Sequence, residues 1–364
     1  MKVLVWQWGR MGAGPRLAVM LAEGLRGCEG TDVVLSLSRY SDVLNDPDPP
    51  ACDLPFATYR GHLGFFLRGL AAPWMIMRLA RRLRAIGPPD LAVCALPGPL
   101  DMIMVCALRR LGVPSVVIVH DADAHPGDGV PFLMPLQRWL SRSADAVAAL
   151  TTHVGERLVA QGITTRDRLI RLFHPPMRFQ RGTRAEHARP EGGPLRLLFF
   201  GRLLPYKGLD LLVAALDRLG PDADIALRVI GSGPKSPELD RLRAHPRVTV
   251  ENRWVPEAEL DAILAEAQVM VLPYREASQS GVAAAGLAAG CAIVATDVGG
   301  LREQLADQPN VTLCPPEAEA IAAVIRAMER ERPVTGPGVD VEAAWQRMAA
   351  DLLRQAAERG LVTS

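Results

Sequence analysis

"GRLLPYKGLDLL", residues 201–212, follows the apolar run Leu195-Arg196-Leu197-Leu198-Phe199-Phe200, leads into a helical pattern, and holds one of only three lysines among 41 basic residues. A strand, a glycine and then a helix place these residues at the carboxyl edge of a sheet. The unpaired N–H groups of a helix start favour an anion there. Arg202 brings a planar fork matched to phosphate oxygens, and Lys207 a compact charge on a flexible stem. A solvated loop lysine would be the plain alternative. Gly201 and Gly208 frame the pair and favour a phosphate clamp.

The same strand-and-helix rhythm extends in both directions. In the first half, strands are expected near 2–6, 31–37, 91–96, 115–119, 145–150 and 168–173, with helices near 15–26, 98–111 and 131–142. In the second half, strands are expected near 195–200, 225–230, 247–251, 269–273, 292–296 and 311–314, with helices near 208–219, 257–267, 280–289 and 317–330. Short β-rich runs alternating with helices signify parallel sheets covered on both faces. The expected class is α/β, with two doubly wound Rossmann-like domains facing a central cleft. Domain one spans 1–177; the polar, Gly- and Pro-rich stretch 178–194 is a linker; domain two spans 195–340. The last helical pattern, within 341–364, is expected to cross back onto the first domain.

A length of 364 residues with 49% hydrophobic content suits two packed cores. The net charge of +1 excludes the strong basic excess of a nucleic-acid binder. Six scattered cysteines without a C-x-x-C pair suggest neither a zinc site nor a disulfide framework and fit a reducing cytosol. The opening "MKVLVWQWGRMG" reads as a first strand rather than a signal peptide, and no apolar stretch is long enough to span a bilayer.

A second constellation lies in "VLPYREASQSGVAAAGLAAGCAIVATDVGG", residues 271–300. A strand ends at Pro273-Tyr274, and Ser278, Gln279, Ser280, Gly281 and Val282 lead into an Ala-rich helix. Small residues there let backbone N–H groups approach a phosphate, while Glu276 is suited to accept from sugar hydroxyls. A carboxylate beside a phosphate site is repulsive unless it serves another part of the ligand, a conflict that a sugar diphosphate resolves. An ordinary Ser/Gly N-cap accounts for the caps but not for Glu276.

These residues, together with Val229-Ile230-Gly231-Ser232-Gly233-Pro234, resemble in order the donor-binding domain of the GT-B fold glycosyltransferases of family 4, the group 1 glycosyltransferases. The resemblance covers roughly residues 195–305. It implies a nucleotide-sugar donor, UDP- or GDP-linked, with Arg202 and Lys207 on the diphosphate, Glu276 on the sugar, and base contacts near Gly231, Ser232, Trp254 and Val255. No metal and no separate cofactor are implied, and retention at the anomeric carbon is. One departure stands out: the second glutamate that the family usually carries eight residues after the first is Ala284 here.

In the first half, Gly12 and Gly14 follow the first strand and precede a helix opened by Pro15, resembling the acceptor-side loop that lies against the donor phosphates. "VVIVHDADAHPGD", 116–128, ends a strand at His120-Asp121 and continues to His125. His120 and Asp121 are each suited to touch the reacting sugar or the acceptor hydroxyl, with His120 assigned to the sugar and Asp121 and His125 to the acceptor side; the plain alternative is that His120 caps the strand edge and Asp121 begins a turn. The acceptor is expected to be a glycan or a lipid-linked saccharide, and the reaction to be cytoplasmic, at the inner face of the cell membrane. Residues 62–87, which mix aromatic and aliphatic side chains with arginines, fit either contact with an anionic membrane or a surface helix whose apolar face enters the core. Two other outcomes share the fold: a nucleotide-sugar epimerase and a catalytically inactive donor-binding partner.

Overall fold

The structure is a computed structural model that describes residues 1–46, 48–124, 133–179, 192–334, 336 and 338–362. Its contacts divide the described chain into two units, one formed by the residues up to 123, 133–173 and 342–362, the other running from 174 to 341.

In the first unit, β1 (Lys2–Gln7), β2 (Asp32–Leu37), β3 (Leu91–Cys94), β4 (Ser115–Val119), β5 (Ala146–Ala149) and β6 (Leu169–Arg171) form a parallel sheet in the order β2-β1-β3-β4-β5-β6. Its helices are α1 (Ala13–Arg26), α2 (His62–Leu70), α3 (Ala72–Ala85), α4 (Asp101–Arg109), α5 (Leu133–Ser143) and α6 (Thr152–Ala160). The central strands β3, β4 and β5 are buried at every residue, which is why they read as continuous apolar runs rather than as alternation. Leu4, Trp6, Val117 and Val147 of the strands share a core with Leu79 and Leu83 of α3 and Ile103 and Leu108 of α4.

In the second unit, β7 (Leu195–Arg202), β8 (Ile225–Ser232), β9 (Val248–Asn252), β10 (Val269–Leu272), β11 (Ala292–Thr296) and β12 (Val311–Cys314) form a parallel sheet in the order β12-β11-β10-β7-β8-β9. The flanking helices are α7 (Leu209–Leu219), α8 (Pro237–Ala244), α9 (Glu257–Glu266), α10 (Gly281–Ala288), α11 (Leu301–Leu305) and α12 (Ala318–Arg330). Phe199, Val229 and Val271 pack against Leu212 and Leu216 of α7 and Ile321 and Ile325 of α12. Read from β9, this is the doubly wound dinucleotide-binding order, which reverses direction between β7 and β10. Those two strands pair at only two positions, Val269 with Leu197 and Met270 with Leu198, so they part toward their carboxyl ends. A crevice at such a reversal is where open α/β sheets take ligands.

The last helix, α13 (Val341–Glu358), lies against the first unit. The backbone of Trp345 comes so near Gly24 of α1 that a Cβ there would stand 2.6 Å from the Trp345 carbonyl oxygen. Gln355 pairs with the edge strand β6: its Oε1 accepts from the Arg171 N–H at 3.1 Å and its Nε2 donates to the Arg171 carbonyl at 2.6 Å.

The expected strands coincide with the observed ones to within two residues. The short helices α6, α8 and α11 are additions. The signal for α8 is Ser236 followed by Pro237: the Ser236 Oγ accepts from the Leu239 N–H at 3.3 Å, and proline occupies the first turn. Residues 62–85 form two helices, not one interrupted helix, because Pro73 sits in the first turn of α3, where its missing N–H costs nothing.

Candidate functional site

Arg202 ends β7, and the next residues turn through a short helical loop, Pro205–Lys207, before α7 begins. Gly208 lets this turn close: it has φ 72°, and a Cβ on it would stand 1.7 Å from the Pro273 carbonyl oxygen, so the 201–208 loop rests directly on the end of β10. The Arg275 N–H donates to the Tyr206 carbonyl at 2.9 Å and joins the same two loops. Beside them, Gly201 and Gly231 face each other in register across β7 and β8, and a Cβ on Gly231 would overlap the Gly201 carbonyl at 1.6 Å.

This nesting gathers two cations around two tyrosines. Arg202 is exposed and donates from Nη2 to the Tyr206 hydroxyl at 2.6 Å. Lys207 is only 8% exposed, and its ammonium stands 3.7 Å from the Tyr274 ring centroid and 5.0 Å from that of Tyr206. Burying an ammonium is costly, and aromatic faces offset part of that cost while leaving the positive charge intact for an anion. Tyr274 is itself fully buried; burial pushes its phenol up to about 12, against the opposing pulls of the Ser280 hydroxyl and of Arg202, so it stays a neutral ring under the lysine. Neither tyrosine was among the expected site residues, although Tyr206 directly precedes Lys207 and Tyr274 stands two residues before Glu276.

The loop before α10 is held by its own side chains. Ser280 caps the helix, its Oγ accepting from the Ala283 N–H at 3.1 Å. Its backbone N–H donates to Gln304 Oε1 at 2.8 Å, and Gln304 Nε2 donates back to the Ser280 carbonyl at 3.0 Å. Ser280 therefore serves as the cap, with its N–H committed to Gln304. The Gly281 and Val282 amides follow as first-turn donors suited to an anion. Val282 reaches Gly201, where a Cβ would meet its Cγ2 at 3.1 Å, so α10 begins against the Arg202 strand. Ser278 is buried, and the buried Oε1 of Gln279 has no protein hydrogen-bond partner among the described residues, which suits a hydroxyl donor from a ligand. Ala284 is fully buried and its carbonyl accepts from the Met177 N–H at 3.1 Å.

Glu276 is exposed on the wall of a 460 Å³ depression that also takes in Tyr206, Ser236, Glu238 and the ion pair between Arg275 and Asp210. On the β8 side, the Arg253 N–H donates to the Gly231 carbonyl at 2.7 Å, and Arg253 forms ion pairs with Glu251 and Glu259. This anchors the next two residues beside Gly231 and Ser232: Val255 is buried and Trp254 is 53% exposed, an aromatic face open to stacking.

The remaining expected residues belong to the first unit. Gly12 is the N-cap of α1, with φ 84° and open space where a Cβ would stand, so backbone conformation explains its identity. Gly14 lies against Gln7, whose Nε2 a Cβ would approach to 2.7 Å. His120 follows β4 and donates from Nε2 to the Ala95 carbonyl at 3.1 Å, tying the ends of β3 and β4. Burial holds its imidazole below the usual pKa, against the smaller upward pulls of Asp121 and of the Ala95 carbonyl, so at neutral pH the ring is uncharged with Nδ1 as its unprotonated nitrogen. The Asp121 carbonyl accepts from Gln137 Nε2 at 2.8 Å. His125 lies outside the described residues. The first unit also holds a buried acid that sequence reasoning missed: Asp101, fully buried at the start of α4, accepts from the Gly98 N–H at 2.6 Å, and burial pushes its carboxyl up to about 7.

The profile of the glycosyl transferases group 1 family matches residues 194–330, and that of a glycosyl transferase 4-like domain matches residues 12–173. The chain is 27% identical over 296 residues to the 2-deoxystreptamine glucosyltransferase of Streptomyces kanamyceticus, covering 74% of this chain and 76% of that one. It is 31% identical over 253 residues to the GDP-mannose-dependent alpha-mannosyltransferase of Mycobacterium tuberculosis, covering 65% and 63% respectively. Among solved structures, HepE of Anabaena in complex with UDP superposes with a TM-score of 0.64 at 15% identity, over 99% of this chain and 98% of that one.

Proposed function

The chain belongs to the group 1 glycosyl transferases, and on that premise we propose that it moves a hexose-type sugar from a UDP- or GDP-sugar to an acceptor hydroxyl with retention at the anomeric carbon. The observation that carries this reading is the gathering of Arg202 and Lys207 with the first amides of α10 at the β7–β10 reversal. As the glycosidic phosphate bond breaks, negative charge builds on the departing diphosphate. Arg202, Lys207 and the Gly281 and Val282 amides stabilise that charge where it develops, so no metal ion enters the scheme. Glu276 and Gln279 hold sugar hydroxyls, and Gly231, Ser232, Trp254 and Val255 receive the base. Neutral His120 meets the reacting sugar, while Asp121 and His125 orient the acceptor. The acceptor hydroxyl attacks from the side of the leaving diphosphate, whose oxygen takes up its proton.

We assign the acceptor to the glycan or lipid-linked class, as in polysaccharide, lipopolysaccharide or glycolipid assembly, and place the reaction in the cytoplasm at the inner membrane face. All six cysteines are free thiols, which suits that compartment. The test is thermal stabilisation by a panel of UDP-, GDP- and ADP-sugars and free nucleoside diphosphates, repeated with Lys207→Ala, followed by product analysis with and without oligosaccharide acceptors. A selective shift lost in the variant, with sugar transfer only when acceptor is present, is the expected result. Conversion of the donor without acceptor would make the protein an epimerase, and donor binding with no turnover an inactive partner.

A further inference from the structure

The helices α2 and α3 meet at an angle of 71°, and the side chains they turn outward are the wrong ones for a surface facing water. On α2, Leu63, Phe66, Leu67 and Leu70 recur every third or fourth residue and make a single stripe. A surface helix of a globular protein buries that stripe; here it faces out, with Leu63 at 74%, Phe66 at 69%, Leu67 at 58% and Leu70 at 82% exposure. Phe65, off the stripe, packs inward on Tyr59 with ring centroids 5.3 Å apart. On α3, Met75, Leu79 and Leu83 enter the core, while the opposite face carries Trp74 and Met77 and then Arg78, Arg81 and Arg84. Arg78 leans over the Trp74 ring, its Cζ 5.2 Å from the centroid. No acidic residue occurs anywhere from 54 to 89, a stretch that holds six arginines.

We propose that the α2–α3 elbow is a membrane-docking surface, and that its occupant is an anionic lipid bilayer. The apolar stripe of α2, continued by Trp74 and Met77, enters the boundary between headgroups and acyl chains, and the arginines of α3 lie at the level of the lipid phosphates. Charge chooses this occupant over an apolar protein face. A row of exposed arginines with no carboxylate among them repels a second copy of itself, whereas lipid phosphates neutralise it. No single helix among the described residues is long and apolar enough to cross a membrane; α2 and α3 together have the length and composition of a bent span, but Met75, Leu79 and Leu83 bind α3 into the core of the first unit, so the contact is placed on one face of the bilayer. The inference rests on the first unit alone and stands whether or not the donor assignment does.

The test is co-sedimentation of the full-length protein with vesicles of phosphatidylcholine alone and of equal parts phosphatidylcholine and phosphatidylglycerol, in 0.1 M and 0.5 M salt. The expected result is binding to the anionic vesicles that weakens in high salt. At roughly fivefold per arginine near the surface, Arg81→Gln with Arg84→Gln should lower the partition coefficient about 30-fold. Leu67→Ser with Leu70→Ser should lower it at least as much, because each leucine forfeits about tenfold or more of apolar transfer. Removing apolar side chains that face water should leave the melting temperature unchanged or raised, which separates lost docking from misfolding. A wild-type protein that stays in the supernatant with both vesicle types overturns the proposal. So does a dimer in solution that Leu70→Glu converts to monomer, since the stripe would then be a protein interface.

Discussion

Tyr274 decides where the Lys207 charge sits, and replacing it separates the ring from the hydroxyl. The ammonium is 3.7 Å from the ring centroid and only 8% of the lysine is exposed, so the interaction belongs at the strong, desolvated end of the cation–π range, about 2 kcal/mol. The contact is present before any ligand binds, so at about 1.4 kcal/mol per factor of ten its loss weakens diphosphate binding by at most about 30-fold. Tyr206, whose centroid is 5.0 Å away, retains part of the hold and brings the expected loss down toward about tenfold. Tyr274→Leu is therefore expected to raise the Kd for the preferred nucleoside diphosphate by about 10- to 30-fold in calorimetric titration. It also empties part of a fully buried site, so the melting temperature should fall by several degrees. Tyr274→Phe keeps the ring and loses only a long contact, 3.4 Å from the phenol oxygen to Ser280 Oγ, so its Kd should stay within about threefold of wild type. A folded Tyr274→Leu protein with an unchanged Kd would refute the clamp. If Phe were as damaging as Leu, the role would move from the ring to the hydroxyl.

Arg202→Ala and Lys207→Ala should each lower kcat about 100-fold or more under saturating donor, because each removes charge from where it is needed in the transition state; wild-type turnover in both would sink the leaving-group assignment. Glu276→Gln should alter the ranking of sugars in a donor panel while leaving nucleoside diphosphate affinity within a few-fold, and an unchanged ranking would count against its contact with the sugar. Asp101 carries a pH signature. Its folded carboxyl titrates near 7 and its unfolded one near 4, so the folded state holds the extra proton between those values and stability falls as pH rises through that window. Chemical denaturation of Asp101→Asn at pH 5 and pH 8 should show a flatter dependence than wild type, and equal slopes would mean that the carboxyl is already ionised in the fold. His120 runs the other way: its lowered pKa means a neutral ring is favoured by folding, so its contribution is present above about pH 6.5 and is lost as pH falls below that value.

Most of the fold and the polar skeleton of the site were legible in the chain. Strands buried on both faces must be apolar throughout, which is why Leu91–Cys94, Ser115–Val119 and Ala292–Thr296 stand out against the helical periodicity around them. Gly201, Arg202, Lys207 and Gly208 were readable for a related reason. A loop that must bend left-handed and lie against a neighbouring carbonyl admits only glycine, and a phosphate site needs cations, so residue type and spacing carry the information locally.

The residues that escaped sequence reading act through partners far away in the chain. Gln304 clamps Ser280 across 24 positions, and Tyr274 lies beneath a lysine 67 residues earlier; nothing in the local pattern marks either one. Residues 62–87 make the contrast clearest. The amphipathic stripe of Leu63, Phe66, Leu67 and Leu70 is written in the sequence, but whether it faces the core or the outside depends on which side of α2 the rest of the unit covers. Periodicity specifies that a helix has two unlike faces. Only packing against the sheet and α3 chooses which face is buried, because that choice is made by contacts between segments and not by the order of residues within one.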